Sequence, residues 1–171
     1  MIGRPQQSEA APYYFTYINL VQGDDPQAVM DSQLDKVESI LSSITEEKSL
    51  YRYAPEKWSI RQVVNHVTDT ERSFVFRAFW FARGFDSPLP SYEQDIAAKS
   101  AEADRIPWND HLDEFRNVRL ATLSFFRNLP PDAWMRSGIA SDSRFTVRAL
   151  AYLVAGHAAY HVQILRERYS I

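Results

Sequence analysis

The sequence predicts an all-α protein, a four-helix bundle with a long crossover connection. Three observations predict it. Glycine is scarce, at 5 of 171 residues. Four long stretches repeat apolar residues every three or four positions, the spacing that lines one face of an α-helix. Residues that start and stop helices stand at the ends of those stretches. A hydrophobic fraction of 45%, with 13% aromatics, is enough for one core, so a single domain is expected over 1–171.

The first long helix is expected from about Pro26 to Ile44. Asp25 can cap it and Pro26 suits the first helical position. Val29, Gln33, Leu34, Val37, Ile40, Leu41 and Ile44 form a stripe opposite Asp31, Lys36 and Glu46. The second is expected from Ser59 to about Arg83, because Ser59 and Gln62 have capping-box spacing and Trp58 with Val63 can staple the start. Gly84 is its stop. The third runs from Asn109 or Asp110 to Leu129, with Leu112, Phe115, Val118, Leu123, Phe126 and Leu129 inward, and Pro130-Pro131 ends it. The fourth begins at Thr146, with Phe145 and Leu150 at staple spacing, and continues to about Arg168.

Between the second and third helices, the connection from Phe85 to Trp108 is far longer than the usual roughly 2–8 residues between bundle helices, so it crosses the bundle or covers one end. Residues 1–24 carry Tyr13, Tyr14, Phe15, Tyr17 and Ile18, too apolar for a free tail. This segment is expected to pack on the bundle or against a second subunit.

Charge and composition exclude several classes. Asp plus Glu number 22 against 19 Lys plus Arg, a balance without the basic excess of a nucleic-acid protein. No stretch approaches the roughly 18 apolar residues of a membrane span, and Met1 to Ala10 has no signal core, so a cytoplasmic protein with no membrane partner is expected. Cysteine is absent, which removes disulfides, thiolate metal ligands and a cysteine nucleophile. Chemistry must come from histidine, carboxylates, hydroxyls or a bound group.

Of the four histidines, His66, His157 and His161 fall within the second and fourth helices, and His111 lies at the polar start of the third. His157 and His161, four apart, share a helix face about one turn from each other and occupy core register between Val154 and Ile164. His66 lies about a quarter-turn from the apolar centre of its helix, where it can reach toward the fourth. Two readings stay open: three imidazoles converging on a metal ion, or interior histidines bonded to Glu71 or a tyrosine. Ala158 stands where a zinc-protease helix needs its glutamate, and the two Glu-x-x-His runs of a di-iron bundle are missing. Three imidazoles without thiolate suit a divalent transition metal such as zinc, nickel, copper, iron or manganese, with positions left for water or substrate.

Glu71 is read as a buried partner of Arg148 or Arg119, or as an acceptor for a ligand histidine. Arg72, Arg77 and Arg83 are read as solvated or snorkelling, Arg166 and Arg168 as a solvated helix end, and the four tryptophans as core anchors.

Lys57-Trp58-Ser59-Ile60, then His66 and Asp69-Thr70-Glu71-Arg72, then Leu89-Pro90 with Gln94-Asp95, and finally Ala155-Gly156-His157, His161 and Ile164-Leu165-Arg166-Glu167-Arg168-Tyr169 resemble the DinB/YfiT-like superfamily. The likeness extends from about Pro12 to the C-terminus. It implies a four-helix bundle with a long crossover, often a homodimer, holding a divalent metal on three histidines that map to His66, His157 and His161. The chain departs from the family in having Ala158 where a glutamate is common and Tyr160 where a second histidine is common. Relatives include thiol S-transferases and isomerases that use low-molecular-weight thiols, and others classed as metal-dependent hydrolases.

The expected function is therefore a metal-dependent enzyme acting on a small-molecule substrate, with the ion activating a low-molecular-weight thiol cosubstrate or water. Glu71 and Tyr160 are the candidates for a base that a hydrolase would need. The alternative is a non-catalytic, stress-induced or structural bundle, and nucleic acid is not an expected partner.

Overall fold

The computed structural model describes residues 2–171. In chain order its helices are α1 (Phe15–Ile18), α2 (Pro26–Ser42), α3 (Ile60–Ala82), α4 (Gln94–Ser100), α5 (Trp108–Arg127) and α6 (Val147–Tyr169), with strands β1 (Ser137–Ala140) and β2 (Ser143–Thr146) before α6.

The long helices begin where their capping chemistry places them. The Asp25 carboxylate accepts from the Gln27 amide at 2.9 Å, ahead of Pro26. Ser59 Oγ accepts from the Gln62 amide at 3.1 Å, and the Gln62 side chain accepts in return from the Ser59 amide at 3.0 Å. Thr146 Oγ1 accepts from the Ala149 amide at 3.0 Å. Each bond satisfies an amide that the first helical turn leaves without a partner. Gly84, at φ +83°, takes the chain out of α3 in the left-handed conformation that glycine adopts without a steric penalty. α2 stops at Ser42, two residues short of the expected Ile44. Ser43 Oγ there bonds the Ile40 carbonyl at 2.7 Å, the local competition through which serine disfavours helix interiors.

Each of the four long helices packs on two of the others: α3 and α2 both lie against α5 and α6. The apolar interior forms two clusters. One gathers Phe74, Ala78 and Phe81 of α3 with Leu150 to Ala155 of α6, α1 and Phe145. The other gathers Ile60 to Val67 of α3 with Leu34 to Leu41 of α2, Phe115, and Ala158 and Leu165 of α6. α3 and α6 therefore run antiparallel, contributing opposite halves to each cluster. A buried polar chain ties the four long helices together. Glu71 of α3 holds Arg119 of α5, whose guanidinium also donates to the Met30 carbonyl and Gln33 of α2. Gln33 in turn donates to the Ala155 carbonyl of α6 at 2.9 Å.

The chain is mostly helical, and the all-α expectation needs correction at 137–146. These residues form an antiparallel hairpin pairing Ser137 with Thr146 and Ala140 with Ser143. Its two-residue turn places Ser141 and Asp142 at φ +49° and +56°, the left-handed geometry that matches strand twist. Asp tolerates it, but the turn lacks the glycine that advertises a hairpin in sequence.

The connection between α3 and α5 includes α4, which packs on α3. Leu89 pairs with the hairpin, donating to the Ile139 carbonyl at 3.0 Å and accepting from the Ser141 amide at 3.1 Å. Of the segment 1–24, Met1 lies outside the described residues, and the remainder packs on α6 of its own chain through α1. Glu9 bonds Arg148 and Thr146. Gly156 permits a close backbone approach of α1 to α6, because a Cβ there would fall 2.2 Å from the Tyr17 carbonyl oxygen. Among the described residues no helix is long and apolar enough to cross a membrane.

Candidate metal centre

His66 stands on α3 and His157 and His161 on α6, at the seam between the two apolar clusters. Antiparallel packing of these helices brings the three rings together. Their centroids are 5.0 Å apart for His66 and His157, 4.9 Å for His66 and His161, and 4.5 Å for His157 and His161. One nitrogen from each ring lies within 4.8 Å of the other two. The Nε2 atoms of His66 and His157 face each other at 3.2 Å. Two nitrogens each about 2.0–2.1 Å from a tetrahedral ion stand about 3.3 Å apart, so this spacing suits a shared divalent ion.

The surroundings keep the rings neutral, the form that offers a lone pair. Burial pushes His66 down to about 4, against a smaller upward pull from Asp95. His161 is pushed down to about 3, first by burial and then by His66. His157 is held well below its ordinary value by burial and the two neighbouring rings. His161 Nδ1 is buried without a hydrogen-bond partner, and such an orphan is expensive unless something ligates it. His66 Nδ1 lies 3.4 Å from Thr70 Oγ1. Aromatic rings fix the imidazoles: Trp58 lies 4.9 Å from His66, Tyr17 5.4 Å from His157 and Tyr160 5.3 Å from His161, between centroids.

His66 and His157 open onto a cleft of about 180 Å³ whose walls include Tyr14, Tyr17, Thr70, Arg77, Tyr92 and Glu93. Tyr92 and Glu93 come from the long connection, which therefore builds one wall of the cleft. His161 borders a second depression with Trp58 and Tyr160.

Outside this group, His111 is 1% exposed and its Nε2 donates to the Ala103 carbonyl at 2.9 Å. Glu71 is committed to Arg119, with Nε to Oε1 at 3.0 Å and Nη2 to Oε2 at 2.8 Å. Arg148, the other partner considered, holds Glu9. Tyr160 is half-buried, its ring edge-on to Tyr17 and His161. Arg77 corrects an expectation: it is 4% exposed, not solvated. Sequence carries a faint sign of this, since Arg77 follows His66, Thr70 and Phe74 along one helical face, but an arginine in that register is more often a snorkelling one.

Two comparisons bear on this arrangement. The chain matches in structure YfiT from Bacillus subtilis, a probable metal-dependent hydrolase with an unusual four-helix bundle topology, at a TM-score of 0.68 and 15% identity, over 97% of this chain and 93% of that one. At that identity the likeness is one of fold. No curated protein matches the chain in sequence. The DinB superfamily model matches residues 30–165, a span that takes in all three histidines and most of the long helices. The chain belongs to the DinB superfamily.

Proposed function

We propose that this chain is a metal-dependent enzyme in which His66, His157 and His161 hold a divalent transition ion beside a cleft for a small-molecule substrate. The observation that carries this reading is the convergence of three neutral imidazoles, two buried and one half-buried, with the Nε2 atoms of His66 and His157 3.2 Å apart. When bound, a zinc, nickel, iron or manganese ion there supplies Lewis acidity and lowers the pKa of a thiol or water enough to furnish an attacking anion near neutral pH.

The chain's own residues hold the rings and shape the cleft. Burial keeps the imidazoles unprotonated, and Trp58, Tyr17, Phe74 and Tyr160 fix their planes. Transfer of a low-molecular-weight thiol is the favoured reaction, because it asks less of a general base and Glu71, one of the two candidates the sequence offers for that role, is held by Arg119. Hydrolysis is the second reading. Likeness to YfiT supports it, as does the exposed carboxylate of Glu93 in the cleft wall, a group able to accept a proton from water.

The test is elemental analysis of untagged wild type and His161→Ala after loading with each metal in turn. About one ion per wild-type chain, lost in the variant, is expected, and the loaded protein is then assayed for thiol transfer and for hydrolysis. Wild type without bound metal would overturn the reading.

A further inference from the structure

Three arginines are buried among the described residues: Arg61 at 4% exposure, Arg77 at 4% and Arg119 at 0%. Arg61 faces Glu46 and Arg119 faces Glu71. Arg77 has no carboxylate within 4 Å among the described residues. Its Nη2 is oriented by neutral acceptors instead, Ser141 Oγ at 2.9 Å and the Pro90 carbonyl at 3.3 Å. A guanidinium cannot shed its charge at physiological pH, so a buried one calls for a counter-charge. Here it lines the cleft that His66 and His157 line. Ser141 belongs to the hairpin turn and Pro90 to the long connection, so both segments hold the guanidinium in place. The hydroxyls of Tyr14, Ser73 and Tyr92 share the same walls, and the Tyr13 and Tyr17 hydroxyls bond to each other at 3.0 Å beside them.

We infer that Arg77 is the anion anchor of this cleft, and that the ligand is an elongated small molecule with a carboxylate or phosphate at the arginine end and its other end toward the imidazoles. Arg77 follows His66 by eleven residues, roughly 16 Å of axial rise before the reach of either side chain, so the two mark separate ends of the cleft along α3. A guanidinium presents paired N–H donors that match the two oxygens of such a group, which makes Arg77 a specificity-determining residue. The inference rests on the cleft of the proposed metal site, but it concerns a different group and is tested without metal.

The experiment titrates 3-phenylpropionate, its neutral amide and phenyl phosphate into metal-free wild type, Arg77→Lys and Arg77→Met. At least one of the two anions is expected to bind wild type in the millimolar range or tighter. The same anion should bind at least tenfold more weakly to Arg77→Met, with partial retention in Arg77→Lys. The amide should bind the three proteins alike. The two anions separate a carboxylate site from a phosphate site. Equal affinity of wild type and Arg77→Met, or no saturable binding of either anion to wild type, would overturn the inference. If Arg77→Met does not fold, the Arg77 Nε–H resonance of wild type gives the answer: it shifts on addition of the bound anion and not on addition of the amide. His161→Ala, at a histidine of the proposed metal group that does not line this cleft, separates the two readings. Loss of metal with retained anion affinity supports both, whereas lost anion affinity in a folded His161→Ala counts against the anchor, and retained metal counts against the metal site.

Discussion

Arg119 is fully buried and Glu71 nearly so, and the pair is joined through three contacts of 2.8 to 3.1 Å. Two desolvated charges repay their burial only with good geometry and satisfied remaining donors. Here Arg119 also reaches the Met30 carbonyl at 3.3 Å and Gln33 Oε1 at 3.2 Å. Removal of one partner strands the other charge in the core. Glu71→Gln is therefore expected to cost about 3–5 kcal/mol in urea denaturation, whereas replacing both residues by Leu and Met should recover most of that loss. Equal losses in the single and double variants would contradict this account. That Glu71 takes an arginine partner was legible from its place near the apolar centre of its helix. Which arginine was not, because Arg119 and Arg148 are distinguished only by the packing of α5 and α6 against α3.

At the scale of elements, α6 shows how a site can be legible while its support is not. The spacing of His157 and His161 and their core register are local properties that 3.6-residue periodicity exposes. The residue between Ala155 and His157 is silent in that pattern. Gly156 admits the backbone of α1, since a Cβ there would lie 2.2 Å from the Tyr17 oxygen and 2.6 Å from its carbonyl carbon. In an ordinary helix interior glycine-to-alanine stabilises by up to about 1 kcal/mol. Here overpacking against a rigid backbone should win, with a net loss of roughly 1–3 kcal/mol. Gly156→Ala is thus expected to unfold at lower urea and to weaken the NMR contact between Tyr17 and His157. A variant as stable as wild type with that contact intact would show that α1 yields without cost. The hairpin and α4 were illegible for a different reason: short elements held by contacts distant in sequence, such as Leu89 on Ile139, carry little periodic signal of their own.

On the scale of the whole molecule, the N-terminal segment closes the fold by spanning most of the chain's length. Its aromatic residues predict that it must pack somewhere, but the anchor is an ion pair 139 residues apart that no local pattern reveals. Glu9, 4% exposed, accepts from Arg148 Nε at 3.0 Å, Thr146 Oγ1 at 2.7 Å and the Gln6 amide at 2.9 Å. Burial by itself would raise its pKa. The hydrogen bonds from Arg148, Gln6 and Thr146, with the arginine charge, outweigh burial and hold the carboxyl below its ordinary 4.5. A carboxylate with a depressed folded pKa contributes stability that is complete above its unfolded value and disappears as pH falls through the folded one. Glu9→Gln keeps the shape but not the charge, so at pH 7 it should be less stable than wild type by about 1.5–3 kcal/mol, the range for hydrogen bonds to charged groups. Below about pH 4.5 the difference should narrow as Glu9 of wild type takes up its proton. Urea denaturation of both proteins from pH 7 to pH 3 measures that gap directly. A gap unchanged across the range would mean that packing of α1 and its tyrosines, rather than the charge on Glu9, seats the segment that carries Tyr17 to His157.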